Sequence, residues 1–194
     1  AVYVEQSQFN FINNNTLFSN GTGACESEGV YFVNPSTQLN NLTNNRISAV
    51  TNGVKIWNAD QNTLENNSID AGTLGVGIYV YSLLSGNNAS YNRIIRNYIK
   101  SGISTGSNSA GFEVRDTLIE HNRINNTGFA GIALGEGGFA NVTNNSVFGP
   151  SIGIYIGPDG ENNSILGNNF STPGTGLWLN VGNNTNFTNN IISN

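Results

Sequence analysis

The densest set of ionisable side chains is Glu113, Arg115, Asp116, Glu120, His121 and Arg123. Acid–base cleavage of a uronic-acid polymer would want such a set. It needs a base to take the proton, an arginine or a metal to neutralise the sugar carboxylate, and a groove to hold the chain. Glu113, Arg115, Asp116 and His121 are therefore the catalytic candidates, and weak ones, because opposing charges this close are explained more simply as exposed ion pairs. His121 is the only histidine, which excludes a histidine triad repeated from one structural unit to the next. Cys25 is the only cysteine. It cannot form an intramolecular disulfide and stands as a candidate for an intermolecular bond or a free thiol.

The element carrying His121 is Ile119-Glu120-His121-Asn122-Arg123-Ile124. Its pattern, apolar-x-x-Asn-x-apolar, recurs eight times, anchored at Asn15, Asn45, Asn67, Asn97, Asn122, Asn145, Asn168 and Asn190. The intervals have a floor of 22 residues with occasional insertions, which marks a stacked repeat. Between anchors lies a second element, a glycine followed by apolar-x-apolar. It occurs as Gly29-Val30-Tyr31-Phe32, Gly53-Val54-Lys55-Ile56, Gly77-Ile78-Tyr79-Val80 and Gly111-Phe112-Glu113-Val114, then again from Gly131, Gly153 and Gly176. Period-two alternation with β-branched and aromatic residues predicts a short half-buried strand, with the glycine easing a bend before it.

A coil of about 22 residues with two or three short strands has no room for a helical crossover, so each strand must pair in parallel with its counterpart one coil away. The expected fold is all-β, a single right-handed parallel β-helix domain over 1–194, with eight coils. Long loops are expected near 16–28, 81–92 and 100–110. Inward columns run through Val30, Val54, Ile78, Phe112, Ile132, Ile154 and Leu177, and through Ile47, Ile69, Ile99, Ile124, Val147, Phe170 and Ile192. The anchor asparagines are expected to form a structural ladder at a bend. A second set lies five residues earlier, at Asn10, Asn40, Asn62, Asn92 and Asn163, with Thr117, Ala140 and Thr185 in the gaps.

Composition narrows the function classes. Only 10% of the chain is charged, 37 of its 194 residues are asparagine, and the net charge is −5. With no basic cluster, nucleic acid is not an expected partner. No run of 18 apolar residues exists, so no helical membrane span is expected. The chain opens at Ala1, as a mature chain relieved of an export signal or a trimmed one would. No cofactor or metal is expected; bound calcium has no supporting motif.

Segments such as Asn62-Thr63-Leu64-Glu65-Asn66-Asn67-Ser68-Ile69 followed by Gly77-Ile78-Tyr79-Val80 resemble repeats of the pectate-lyase-like, NosD-type right-handed β-helix superfamily. The resemblance covers nearly the whole chain and implies the fold. For function it implies a range: polysaccharide lyases, hydrolases, C5-epimerases, tailspikes, copper-maturation proteins and archaeal surface proteins. The chain has no polygalacturonase-like Asp triad, no epimerase-like Asp-Pro-His motif, and few Lys or Arg to hold an acidic polymer.

Three further features bear on function. The outward position of the glycine-led strands reads Tyr3, Tyr31, Lys55, Tyr79, Glu113, Ala133, Tyr155 and Trp178. Tyr31, Tyr79, Tyr155 and Trp178 are thus candidates for glycan stacking or lateral contact. Twelve N-x-Ser/Thr sequons fall at Asn14, Asn20, Asn41, Asn66, Asn88, Asn125, Asn141, Asn144, Asn162, Asn169, Asn183 and Asn186, which points to a glycosylated extracellular or cell-surface chain. No polar cap is legible at either end. Val2, Tyr3 and Val4 at one end and Ile191 and Ile192 at the other are expected to stack head to tail. The leading expectation is a secreted, N-glycosylated structural protein that polymerises with itself into a fibre or sheath. The alternatives are a carbohydrate-active β-helix enzyme and a non-catalytic glycan-binding module.

Overall fold

The computed structural model describes residues 1–21, 27–72, 75–83, 88–107, 114–125, 128–135, 137–158, 160–180 and 184–194. Three parallel sheets of eight strands each run its length, and the chain visits them in turn. The first sheet runs from Val2–Glu5 to Thr175–Leu179, the second from Phe11–Asn13 to Asn186–Thr188, and the third from Thr16–Phe18 to Ile191–Ser193. Strands of two to seven residues are too short to be stable alone. Stacking supplies what is missing, because each apolar side chain lands on the matching one a coil away: Val54 on Ile78 in the first sheet, Leu42 on Leu64 in the second, Ile47 on Ile69 in the third. All six are buried, and each contributes about 1.5–3 kcal/mol.

The structure moves one strand. Ile103, not Phe112, continues the inward column, pairing with Ile78 on one side and Ile132 on the other. The strand is Ile103–Ser107, inside what the repeat pattern assigns to a loop at 100–110; Gly111, Phe112 and Glu113 lie outside the described residues. Thr16–Phe18 is likewise a strand rather than the start of a loop. The glycine of the repeat also has a different reason. Gly53 is not among the left-handed glycines; a Cβ there would lie 2.2 Å from Ile69 Cγ2 and 2.6 Å from the Gly77 carbonyl oxygen. It is required where the first sheet closes against the third, not for a bend.

At the corner between the second and third sheets the anchor asparagines form an unbroken chain of bonds. The Oδ1 of each accepts the backbone N–H of the asparagine one coil earlier at 2.9 Å and its Nδ2 at 3.0–3.1 Å, from Asn15–Asn45 through to Asn168–Asn190. The Nδ2 groups also donate to strand carbonyls, as Asn122 does to Ile94 at 2.8 Å. The left-handed residue is not the anchor but the one before it: Asn14, Asn44, Asn66, Arg96, His121, Asn144 and Asn189 have φ between 54° and 58°.

The earlier asparagine set forms a second ladder over Asn10, Asn40, Asn62 and Asn92. It breaks where Thr117 and Ala140 stand, and resumes only as Ala140 N–H to Asn163 Oδ1 at 3.0 Å. There the coil corners pair as backbone instead: Val114–Arg115, Gly137–Gly138 and Gly160–Glu161 make a fourth, three-stranded parallel sheet. Each residue preceding this second column is also left-handed, Phe9, Leu39, Gln61, Tyr91, Asp116, Phe139, Asn162 and Asn184 among them.

Candidate functional site

The catalytic candidates do not converge. Arg115 is exposed on the small fourth sheet, with its guanidinium 5.6 Å from the Phe139 ring centroid. Asp116 and His121 sit exposed on the two left-handed corners flanking Leu118–Glu120. His121 Nδ1 is 3.6 Å from Glu120 Oε1, which also accepts the Thr143 hydroxyl at 3.4 Å. Arg123 lies on the third sheet between the rings of Tyr98 and Phe148. The set is thus strung around the perimeter of the coil, on separate surfaces; Glu113 falls outside the described residues. No group of three or more His, Cys, Asp or Glu among the described residues is arranged to hold a metal.

The first sheet's outer face gathers side chains instead. Its outward row reads Tyr3, Tyr31, Lys55, Tyr79, Ser104, Ala133, Tyr155 and Trp178, with Ser104 where the repeat pattern places Glu113. Two residues further on, the same face carries Trp57 and Tyr81, which the pattern of single outward positions leaves out. Tyr31 and Trp57 stack at 6.1 Å and 6°, Trp57 and Tyr81 at 5.9 Å and 24°, and Tyr79 and Tyr81 at 5.0 Å and 8°. Lys55 Nζ lies 4.8 Å from the Tyr31 ring centroid and 3.5 Å from the buried Glu28 carboxylate, so the one cation on this face among the described residues is already occupied. This packing covers Tyr31, which is only 4% exposed and leaves the set of available contacts. Burial pushes the Tyr79 and Tyr81 phenols up, and for Tyr81 the neighbouring Tyr79 adds to it. Both therefore stay neutral donors.

A second ring cluster stands further along. Tyr155 and Trp178 meet edge to face at 5.8 Å, and Phe129, from the turn before the first sheet, lies 5.8 Å from Tyr155 and 6.1 Å from Trp178. The Asn180 amide donates to the Tyr155 hydroxyl at 3.2 Å. Tyr79 and Tyr155 are three strand spacings apart, roughly 14 Å. Among the described residues, the face between them carries Ser104, Gly106, Ala133 and Gly135. These described residues make a low, uncharged floor between two aromatic walls.

The sequons divide by exposure. Asn14, Asn20, Asn66, Asn88, Asn125, Asn141, Asn144 and Asn186 are exposed, Asn41, Asn162 and Asn169 are half-buried, and Asn183 lies outside the described residues, as does Cys25. At the chain's first and last strands, Tyr3, Ile191 and Ile192 are exposed, Val2 is half-buried and Val4 is buried. No helix among the described residues is long and apolar enough to cross a membrane.

Three all-parallel sheets visited in rotation define a β-helix solenoid. The family described as right handed beta helix region matches residues 1–147 and 112–194, and the chain belongs to it. Among solved structures, the chain is similar to PfbA, a surface adhesin of Streptococcus pneumoniae, with a TM-score of 0.62 and 19% identity. That match covers 86% of this chain and 44% of PfbA, so the chain spans less than half the length of that relative. No curated protein matches the chain.

Proposed function

We propose that the chain is a non-catalytic β-helix module that works outside the cell or at its surface, and that the outer face of its first sheet binds uncharged carbohydrate. The observation that carries this reading is the floor of described residues without charge, Ser104, Gly106, Ala133 and Gly135, between Tyr79 with Tyr81 and Tyr155 with Trp178. Ring faces stack on the apolar faces of pyranoses, while phenol and serine hydroxyls take the sugar's hydrogen bonds. Among the described residues the cation on this face is Lys55, and Glu28 engages it, which favours a neutral sugar over a uronate. The PfbA likeness agrees with a surface role. Glycosylation at the exposed sequons belongs to the same reading.

An array of neutral, sulfated and uronic glycans tests it. Retention of neutral glycans is expected, lost in Trp178→Ala and Tyr155→Ala and kept in His121→Ala. No retention, or cleavage of a polyuronate that His121→Ala abolishes, would overturn the proposal.

A second reading is end-to-end assembly through the terminal strand rows. It is favoured by the uniformity of the ladder, in which each anchor from Asn45 to Asn168 bonds the coil before it and the coil after it in the same way. A coil of a second copy stacked on it would make the same bonds. Electron microscopy of the full-length protein separates the two, filaments with strands perpendicular to the axis supporting assembly and isolated rods opposing it.

A further inference from the structure

The left-handed column ahead of the second asparagine ladder holds residues that should not be there on backbone grounds. Strand register aligns Phe9, Leu39, Gln61, Tyr91, Asp116, Phe139, Asn162 and Asn184 in one row along the axis, each two residues before a paired position in the second sheet. Asparagine accepts a φ near 57° at little cost, and occupies the neighbouring left-handed column at five of eight positions. Phe9, Leu39, Tyr91 and Phe139 instead put bulky apolar side chains on φ values of 57–61°, where such residues are genuine outliers. Burial does not compensate, since the four are 72%, 36%, 57% and 47% exposed. Strain kept at an exposed apolar residue points to a contact that the isolated chain does not make.

The neighbours of this ridge indicate what makes that contact. Arg93 stands two residues after Tyr91 on the second sheet, and Asp116 occupies the ridge position of the next strand row; both are exposed. Neither has an ion-pair partner among the described residues. Aromatic residues beside arginines are the composition of protein interfaces. With the strand rows numbered in order, an antiparallel copy laid along the ridge so that the opposite charges meet sets row four against row five. Arg93 of each copy then faces Asp116 of the other, across a two-fold axis. The same placement seats every apolar residue opposite a polar one: Phe9 against Asn184, Leu39 against Asn162, Tyr91 against Asp116 and Phe139 against Gln61. Each large side chain thus enters a gap in the opposing ridge, and the charges pair at the centre.

We infer that the Phe9–Leu39–Tyr91–Phe139 ridge is a lateral, two-fold interface with a second copy of this chain running antiparallel. A self-matched isologous surface needs the knobs and gaps to mirror one another about its centre, and this row does so.

Sedimentation velocity over a concentration series of the chain tests the inference. The wild type is expected to show a concentration-dependent monomer–dimer equilibrium. Tyr91→Asn/Phe139→Asn is expected to remain monomeric with an unchanged or higher Tm, because asparagine fits the left-handed backbone, so loss of the dimer cannot be assigned to misfolding. Arg93→Asp is expected to shift the equilibrium at least tenfold toward monomer, and Arg93→Asp/Asp116→Arg to restore it. A wild type that stays monomeric throughout, that associates only on lipid vesicles, or that dimerises equally well with both asparagines in place would overturn it. So would failure of the charge exchange to restore pairing. Terminal stacking leaves the ridge intact and is insensitive to all four substitutions, which keeps the two modes of association distinguishable.

Discussion

Removing one rung of the unbroken ladder tests how the coils are held in register. Asn122 is buried. Its Oδ1 accepts Asn97 N–H at 2.9 Å and Asn97 Nδ2 at 3.1 Å, while its Nδ2 donates to Ile94 at 2.8 Å and to Asn145 Oδ1 at 3.0 Å. Asn122→Ala removes all four bonds, but the losses are unequal. Asn97 Nδ2 keeps the Leu64 and Ile95 carbonyls, and Asn145 Oδ1 loses the Asn122 Nδ2 donor while keeping the Asn122 N–H. The Asn97 backbone N–H keeps nothing. An orphaned buried donor costs about 1–3 kcal/mol, and the remaining bonds about 1 kcal/mol in sum after relaxation, for a loss of roughly 3 kcal/mol. In a domain of this size that lowers Tm by about 6–12 °C. Thermal and urea unfolding followed by far-ultraviolet circular dichroism would read it. Asn141→Ala, an exposed strand position, serves as control and should stay within about 0.5 kcal/mol. A loss at Asn122 no larger than at Asn141 would refute the ladder's structural role.

Other outcomes follow from particular contacts. Thr117 Oγ1 is buried with no hydrogen-bond partner among the described residues, and Thr117 interrupts the second ladder after Asn92; Thr117→Asn should offer Asn92 an acceptor and raise stability by about 1 kcal/mol, read by urea titration. Burial raises the Asp60 carboxyl above its ordinary value, against the Ser90 N–H that it accepts at 2.6 Å. An acid whose folded pKa is raised costs stability as pH rises from its unfolded value through its folded one. Asp60→Asn should therefore raise Tm at neutral pH and leave it unchanged below about pH 3, where both forms are neutral. Asp70 has the opposite sign: its hydrogen bond to Lys100 holds it low, so Lys100→Met should cost stability at neutral pH and nothing in acid. Glycopeptide mass spectrometry of the native protein should find sugar at exposed sequons such as Asn14, Asn66 and Asn144, and none at half-buried Asn41, Asn162 or Asn169; occupancy confined to the half-buried set would contradict the exposure argument.

The fold was legible because it is periodic. Each coil must repeat an apolar column and an asparagine at one position, so spacing alone located Ile47, Ile69 and Ile99, or Asn67 and Asn97. The pattern slipped where two segments satisfied it. Gly102-Ile103-Ser104-Thr105 carries a threonine where Gly111-Phe112-Glu113-Val114 carries valine, yet Thr105 is the one buried in the column beside Val80 and Leu134. The fourth sheet escaped notice because a two-residue strand such as Gly137–Gly138 has no periodicity to detect. At the candidate site, alternation told which residues face out but not what covers them. Tyr31 faces out and is buried, because Tyr3, Trp57 and Lys55 close over it. Phe129 joins Tyr155 and Trp178 from a turn, where no strand rule applies. Nor does hydrophobicity distinguish the ridge residues: only the backbone angle shows that Tyr91 and Phe139 sit where asparagine would be at ease.

Binding of neutral carbohydrate to the aromatic face of the first sheet can be read directly, because the chain carries its own reporter. It has two tryptophans, Trp57 inside the stacked cluster and Trp178 on the open wall. In a Trp57→Phe background, titration with soluble neutral oligosaccharides should shift Trp178 emission saturably, and Tyr155→Ala should weaken that response at least tenfold. A Trp178 signal that stays flat across neutral glycans, while the fold remains intact by circular dichroism, would contradict the account.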